Sequence, residues 1–107
     1  MTTAETIFRA ERARITDLAS RHKLPAIYPY SVFAVDSGGL MAYEVVDSDL
    51  HKNAADYVDR ILKGAKPSEL PVQQPTKLRL VVNLKTAASL GLAMPQSILA
   101  RADEVIE

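Results

Sequence analysis

The nine residues TKLRLVVNL (76–84) constrain the chain more than any other stretch. Leu78, Leu80, Val82 and Leu84 alternate with Lys77, Arg79, Val81 and Asn83. That period of two sends successive side chains to opposite faces and reads as a half-buried β-strand. Such a strand needs neighbours on its edges, because unpaired backbone N–H and C=O groups invite pairing with other chains. The rest of the sequence has to supply them.

Two further runs qualify. In LPAIYPY (24–30), Pro25 and Pro29 bracket a short apolar run and limit it to a strand of four or five residues. LMAYEVV (40–46) is the other, entered through a loop at 31–37 and the only glycine pair in the chain, Gly38-Gly39. Two adjacent glycines are costly, since glycine loses the most backbone freedom on folding. The connection lacks the two-residue signature of a tight hairpin, so it reads as a crossover.

Helices fill the remainder. Thr2 and Glu5 fit a capping box, and Ala4, Ile7, Phe8, Ile15 and Leu18 form a thin apolar stripe interrupted by Glu11 and Arg12. The positive run Arg21-His22-Lys23 suits a helix C-terminus, with Pro25 just beyond. The strongest helix spans 48–63, capped by Asp47 or Ser48, with Leu50, Ala54, Tyr57, Val58, Ile61 and Leu62 on one face. Gly64 and Pro67 end it. AKPSELPVQQP (65–75) carries three prolines and predicts an extended, polyproline-like segment. KTAASLGL reads as a short helix, and MPQSILARADEVIE as a second, started by Pro95 with Ile98, Leu99, Ala102 and Val105 on one side. Three strands and four helices in this order predict the end of an α/β domain with a mainly parallel sheet. Two sheet edges remain to be covered, which points to a partial domain completed by self-association.

Thirteen basic residues balance thirteen acidic ones, so charge gives no hint of a nucleic-acid or membrane-surface partner. The absence of cysteine excludes disulfides and thiol chemistry. No apolar run approaches the roughly 20 residues of a membrane span. The charged start, MTTAETIFRAERARITD, has no apolar core of a signal peptide, so the expectation is a cytoplasmic location for the chain as given.

No nucleophile, phosphate-loop or dinucleotide motif is present, and His22 and His51 stand far apart without a metal-spaced cluster. The reading is therefore no catalytic residue, no metal, no cofactor and no enzyme activity. The candidate ligand-binding residues are Tyr28, Asp36, Ser37, Gly38, Gly39 and Tyr43. Tyr28, Tyr30 and Tyr43 serve either as packing residues with wet hydroxyls or as cleft-lining rings that stack on an organic ligand. Asp36 and Ser37 are either a solvated loop or a site for the amino group of an amino acid. Gly38-Gly39 is either a plain turn or, as the family resemblance set out next implies, a hinge lying close to ligand.

The strings GGLMAY, YVDRILKGAKPSELPVQQPTK and NLKTAASLGL, with the flanking residues from about 15 onward, resemble the C-terminal portion of ABC-transporter substrate-binding proteins of the tryptophan/tyrosine-binding type. The resemblance implies a type I periplasmic-binding-protein fold, three-layered α/β/α, built from two lobes that close on a solute. It implies a periplasmic or membrane-anchored location and an ABC permease as partner. Members of that family are much longer and carry an export signal and a complete first lobe. Residues 1–107 would then be one partial domain, a truncation or a remnant, with 31–39 and 65–77 as inter-lobe crossovers. Helix 48–63 would pack on the other lobe, or a swapped second copy would cover it.

Overall fold

The computed structural model describes residues 5–107, Asp47 by its backbone alone. Thr2 and Ala4 lie outside the described residues; Glu5 is the N-cap of α1 (Thr6–Ala10), without a side-chain cap. α1 and α2 (Arg12–Arg21) follow each other through Glu11, whose N–H still donates to the Ile7 carbonyl at 3.0 Å. The single helix expected here becomes irregular where Glu11 and Arg12 break the apolar stripe. It ends in the basic run, as predicted. Lys23 turns left-handed at φ +50°. The Leu24 N–H reaches back to the Ala19 carbonyl at 2.8 Å, which closes the last turn.

β1 (Ile27–Tyr28) is shorter than predicted. It pairs in parallel with β2 (Met41–Val45), Ile27 opposite Met41 and Tyr28 opposite Ala42. The connection is a crossover, as the missing hairpin signature implied. Its interior is not the loop expected at 31–37, because Ser31–Val35 forms α3. The apolar run explains the difference. Phe33 and Ala34 are fully buried, and one helical turn lets both reach the core while satisfying their backbone groups locally.

β3 (Leu78–Asn83) and β4 (Glu104–Ile106) pair in parallel, giving a four-stranded sheet in the order β1-β2-β3-β4. The Asn83 N–H donates to the Leu40 carbonyl at 2.8 Å, and the Val46 N–H to the Lys77 carbonyl at 3.2 Å. These bonds set the start of β2 beside the end of β3 and the reverse, so this middle pair runs antiparallel. Two of the three pairings are parallel, and the predicted α/β class with a mainly parallel sheet holds.

Two sequence expectations fail around β3. The strand is not half-buried, since Val81 and Val82 are both 0 % exposed and Asn83 is buried too. Val81 and Val82 point to opposite faces, so both faces are covered there. A strand with neighbours on each side and cover on each face does not show simple alternation. The second failure lies at the C-terminus. The predicted helix stops after α6 (Gln96–Leu99), and Glu104–Ile106 becomes the fourth strand. The free edge of β3 decides it. The Asp103 N–H donates to the Leu80 carbonyl at 2.9 Å, and the Asp103 carboxylate accepts the Leu80 N–H at 2.7 Å. Three residues are too few for periodicity to reveal. With α5 (Leu84–Ser89), the described residues hold four strands and six α-helices, where three and four were expected.

The chain divides into two compact units, 5–44 with 79–107 and Val45–Leu78. The segments 31–39 and 65–77 fall inside the first and second unit respectively. In the first, Ala34, Ala42 and Val81 form the core cluster, with Ile106 packed against it. The second consists of α4 (Asp47–Leu62), a 3-10 turn at Pro67–Glu69 and a largely extended return. The helix starts one residue earlier than expected, at Asp47. Its N-cap is Val46, held by the pairing with Lys77. None of the described side chains of Val45–Leu78 is buried. Val58 is 56 % and Leu62 82 % exposed, so the apolar face of α4 stands open within its unit.

The glycine pair has two separate causes. Gly38 adopts φ +71°, which L side chains rarely enter. A Cβ on Gly39 would lie 2.7 Å from Tyr28 Cε2 and 2.9 Å from the Phe33 carbonyl. Gly39→Ala is therefore expected to cost about 1–3 kcal/mol through overpacking against backbone and a buried ring. Gly38→Ala should cost about 1 kcal/mol of strain. Urea unfolding of both variants measures the difference, and a Gly39→Ala protein as stable as wild type would refute the packing account.

Candidate functional site

Asn83 ends β3 with a buried amide whose two polar atoms are both used. Its Oδ1 accepts the Thr86 N–H at 3.1 Å and so caps α5. Its Nδ2 donates to the Ala34 carbonyl at 3.1 Å. The Thr86 hydroxyl donates to the Gly38 carbonyl at 2.8 Å, and the Gly39 N–H to the Phe33 carbonyl at 2.7 Å. Loop 36–39 is thus tied to α5 and α3 at once, and Asn83 ties those two helices to β3. It forms a shelf held from beneath.

Tyr28 lies under that shelf. It is 1 % exposed and stacks on Phe33 at 4.8 Å between ring centroids with planes 9° apart. The space beside it toward Gly39 and Thr86 is about 10 Å³, room for at most one water. Burial removes solvent from the phenolate and pushes the Tyr28 pKa up. Its outer side floors an open groove of about 450 Å³ walled by Ile15, Leu18, His22 and Leu24. That volume falls in the range of small-molecule sites, and the walls are apolar apart from the imidazole.

The predicted residues therefore separate. Tyr28, Gly38 and Gly39 meet at the shelf. Asp36 is exposed at the C-cap of α3, with Ser37 half-buried beside it. Tyr43 lies on β2, 46 % exposed. The sequence reading overlooked Arg9 and Arg12. Arg9 stacks over the Tyr30 ring at 5.0 Å. Arg12 donates through Nη1 to the Arg9 carbonyl at 3.2 Å and places Nη2 4.0 Å from Asp36 Oδ2. Tyr30 lies two residues beyond β1, and in α/β sheets ligands gather beyond the carboxyl ends of strands. Glu44 braces the same end, its Oε2 accepting the Ser31 N–H at 2.6 Å and its Oε1 3.7 Å from Arg79. The signal for Arg12 was available in the sequence as a charge interrupting an apolar helical face.

Among the described residues no group of three His, Cys, Asp or Glu side chains could hold a metal ion, and no helix is long and apolar enough to cross a membrane.

Comparison with known proteins follows the geometry. Residues 2–106 match the family described as ABC transporter substrate binding protein. A conserved domain protein from Vibrio cholerae superposes with a TM-score of 0.84 at 26 % identity, over 95 % of this chain and 34 % of the other. The ABC domain from Streptococcus pneumonia in complex with L-Trp gives 0.80 at 27 %, over 96 % and 35 %. The ligand-free, open structure of a substrate binding protein with adhesive properties from Clostridium difficile gives 0.60 at 19 %, over 96 % and 34 %, and shows a shared fold alone. No curated protein matches the sequence. The chain spans about a third of the length of the solved structures it resembles.

The buried phenol gives a pH test. Its folded pKa exceeds the unfolded value of about 10. The stability linked to it is intact below pH 10 and is lost as pH rises through the raised value, because the unfolded chain releases the proton first. Absorbance titration should show one of the four tyrosines ionising late, and Tyr28→Phe should remove that step. Four tyrosines titrating together would contradict the burial.

Proposed function

We propose, on the premise that this chain belongs to the ABC transporter substrate binding protein family, that it takes part in holding a small organic solute for delivery to an ABC permease. An amino acid is the solute class of first choice. One observation carries this choice: the likeness to a Streptococcus protein seen with L-Trp. The work is binding without chemical conversion, carried out in the periplasm or at the outer side of a membrane. Asp36 and Ser37 supply an acceptor pair for an ammonium group. The tied loop beneath them lowers the ordering cost of binding, since a preformed site loses little freedom.

The experiment is a thermal melt of the chain with L-tryptophan and the other common L-amino acids. A solute that binds only the folded state raises its stability by about 2.7 kcal/mol at a hundred times its Kd. The expected result is a melting midpoint that climbs with the logarithm of concentration for one chemical group of amino acids. No shift at millimolar concentration with any of them would refute binding by this chain.

A second reading has an observation of its own. The segment Val45–Leu78 buries none of its described side chains, yet α4 carries an apolar face. In this reading the chain binds no solute and persists as a swapped dimer in which each copy covers the other's α4. Light scattering then gives twice the chain mass and a melting temperature that rises with protein concentration. A monomer at micromolar concentration refutes it.

A further inference from the structure

We propose that the open groove over Tyr28 is a second binding site, for a small carboxylic acid with an apolar body such as a medium-chain fatty acid. Neither Asp36 nor Ser37 lines this groove, and the site stands independently of the amino-acid reading. One wall is the stripe Ile15, Leu18 and His22, whose spacing of three and four residues puts them on one face of α2 and its C-cap. Leu24 stands on the other wall, and the buried ring of Tyr28 makes the floor. The space of about 450 Å³ suits a small molecule. Leu18 is 46 % and Leu24 58 % exposed, so an apolar body laid between them takes their open surface out of water.

The mouth of the groove selects the head group. His22 and Leu24, one from each wall, flank Lys23. Lys23 is exposed and enters no ion pair among the described residues, whereas its neighbour Arg21 is matched by Asp17 at 2.9 Å. Lys23 is also the one non-glycine at positive φ among the described residues, at +50°. Directly past a helix end, glycine or asparagine takes that conformation with less strain. Lysine is the costlier choice for the backbone, and an outlier of this kind points to a use for the side chain. An anionic head held at the mouth beside Lys23 keeps part of its hydration, where burial on the apolar floor would be expensive. A carboxylate on an alkyl or aryl body meets both conditions, its body on Leu18, Leu24 and Tyr28 and its head on the unpaired cation. The same rim disfavours an ammonium head.

Calorimetry on the whole chain compares three probes that share one alkyl body: octanoate, 1-octanol and octylamine. Octanoate should bind about tenfold more tightly than 1-octanol, the size expected for a charge-assisted contact, and octylamine should bind most weakly. Lys23→Asn, which keeps the left-handed turn, should bring octanoate to the level of 1-octanol and leave 1-octanol unchanged. Leu18→Asp should abolish binding of both by placing a charge on the wall. Leu24→Asp tests the opposite wall if Leu18→Asp fails to fold. Equal affinity for the three probes overturns recognition of the acid, and wild-type octanoate affinity in a folded wall variant overturns the groove as its site. No heat with octanoate at millimolar concentration overturns the proposal outright. An octanoate affinity that falls as protein concentration rises also overturns it, by assigning the groove to a second copy of this chain. L-Tryptophan should not displace octanoate; displacement would merge the two sites and overturn the proposal, while a chain that binds octanoate and no amino acid removes only the amino-acid reading.

Discussion

The side-chain amide of Asn83 ties two helices to the end of one strand. From one position at the end of β3 it caps α5, holds the last turn of α3 through Ala34, and leaves its own N–H to pair with Leu40. A buried amide with an unmet donor or acceptor costs on the order of 1–3 kcal/mol. Any arrangement that separates α3, β2 or α5 from β3 leaves such a group behind. The register of the sheet and the course of loop 36–39 therefore stand or fall together. Thr86 extends the same constraint one turn into α5 by reaching Gly38.

Above that network, packing closes the remaining freedom. The Tyr28 ring, stacked on Phe33, and the Phe33 carbonyl occupy the volume next to Gly39, and the missing Cβ lets the loop lie against them. The result is a rigid platform with a charged margin. Arg9, Arg12 and Asp36 lie at that margin, in a place set by helix ends and not by the loop itself. The unit Val45–Leu78 shows the opposite balance. Its ion pairs Asp56–Arg60 and Asp59–Lys63 lie on the surface of α4 and each contribute only a few tenths of a kcal/mol. Without buried side chains of its own, an isolated helix of this length is marginal in water.

Much of this was legible in the sequence. The period of two in 76–84, the apolar face of 48–63, the basic helix end at 21–23 and the crossover between β1 and β2 all follow from local rules about side-chain spacing and turn chemistry. The family resemblance carried by GGLMAY and YVDRILKGAKPSELPVQQPTK pointed to the family that the match over residues 2–106 shows. Of the candidate site, Gly38, Gly39 and Tyr28 do meet, and Asp36 borders them from the end of α3.

The tertiary structure decided the rest. Residues 104–106 became a strand because the edge of β3 offered them partners, although their own pattern favoured a helix. Residues 31–35 became a helix because Phe33 and Ala34 had a core to enter. Val81 and Val82 lost their alternation because both faces of the sheet are covered. Arg12 acquired its place near Asp36 through a contact between residues far apart in the chain. Local sequence determines what a segment prefers, through propensity and period. Which preference survives depends on partners that only the folded chain brings within hydrogen-bonding distance.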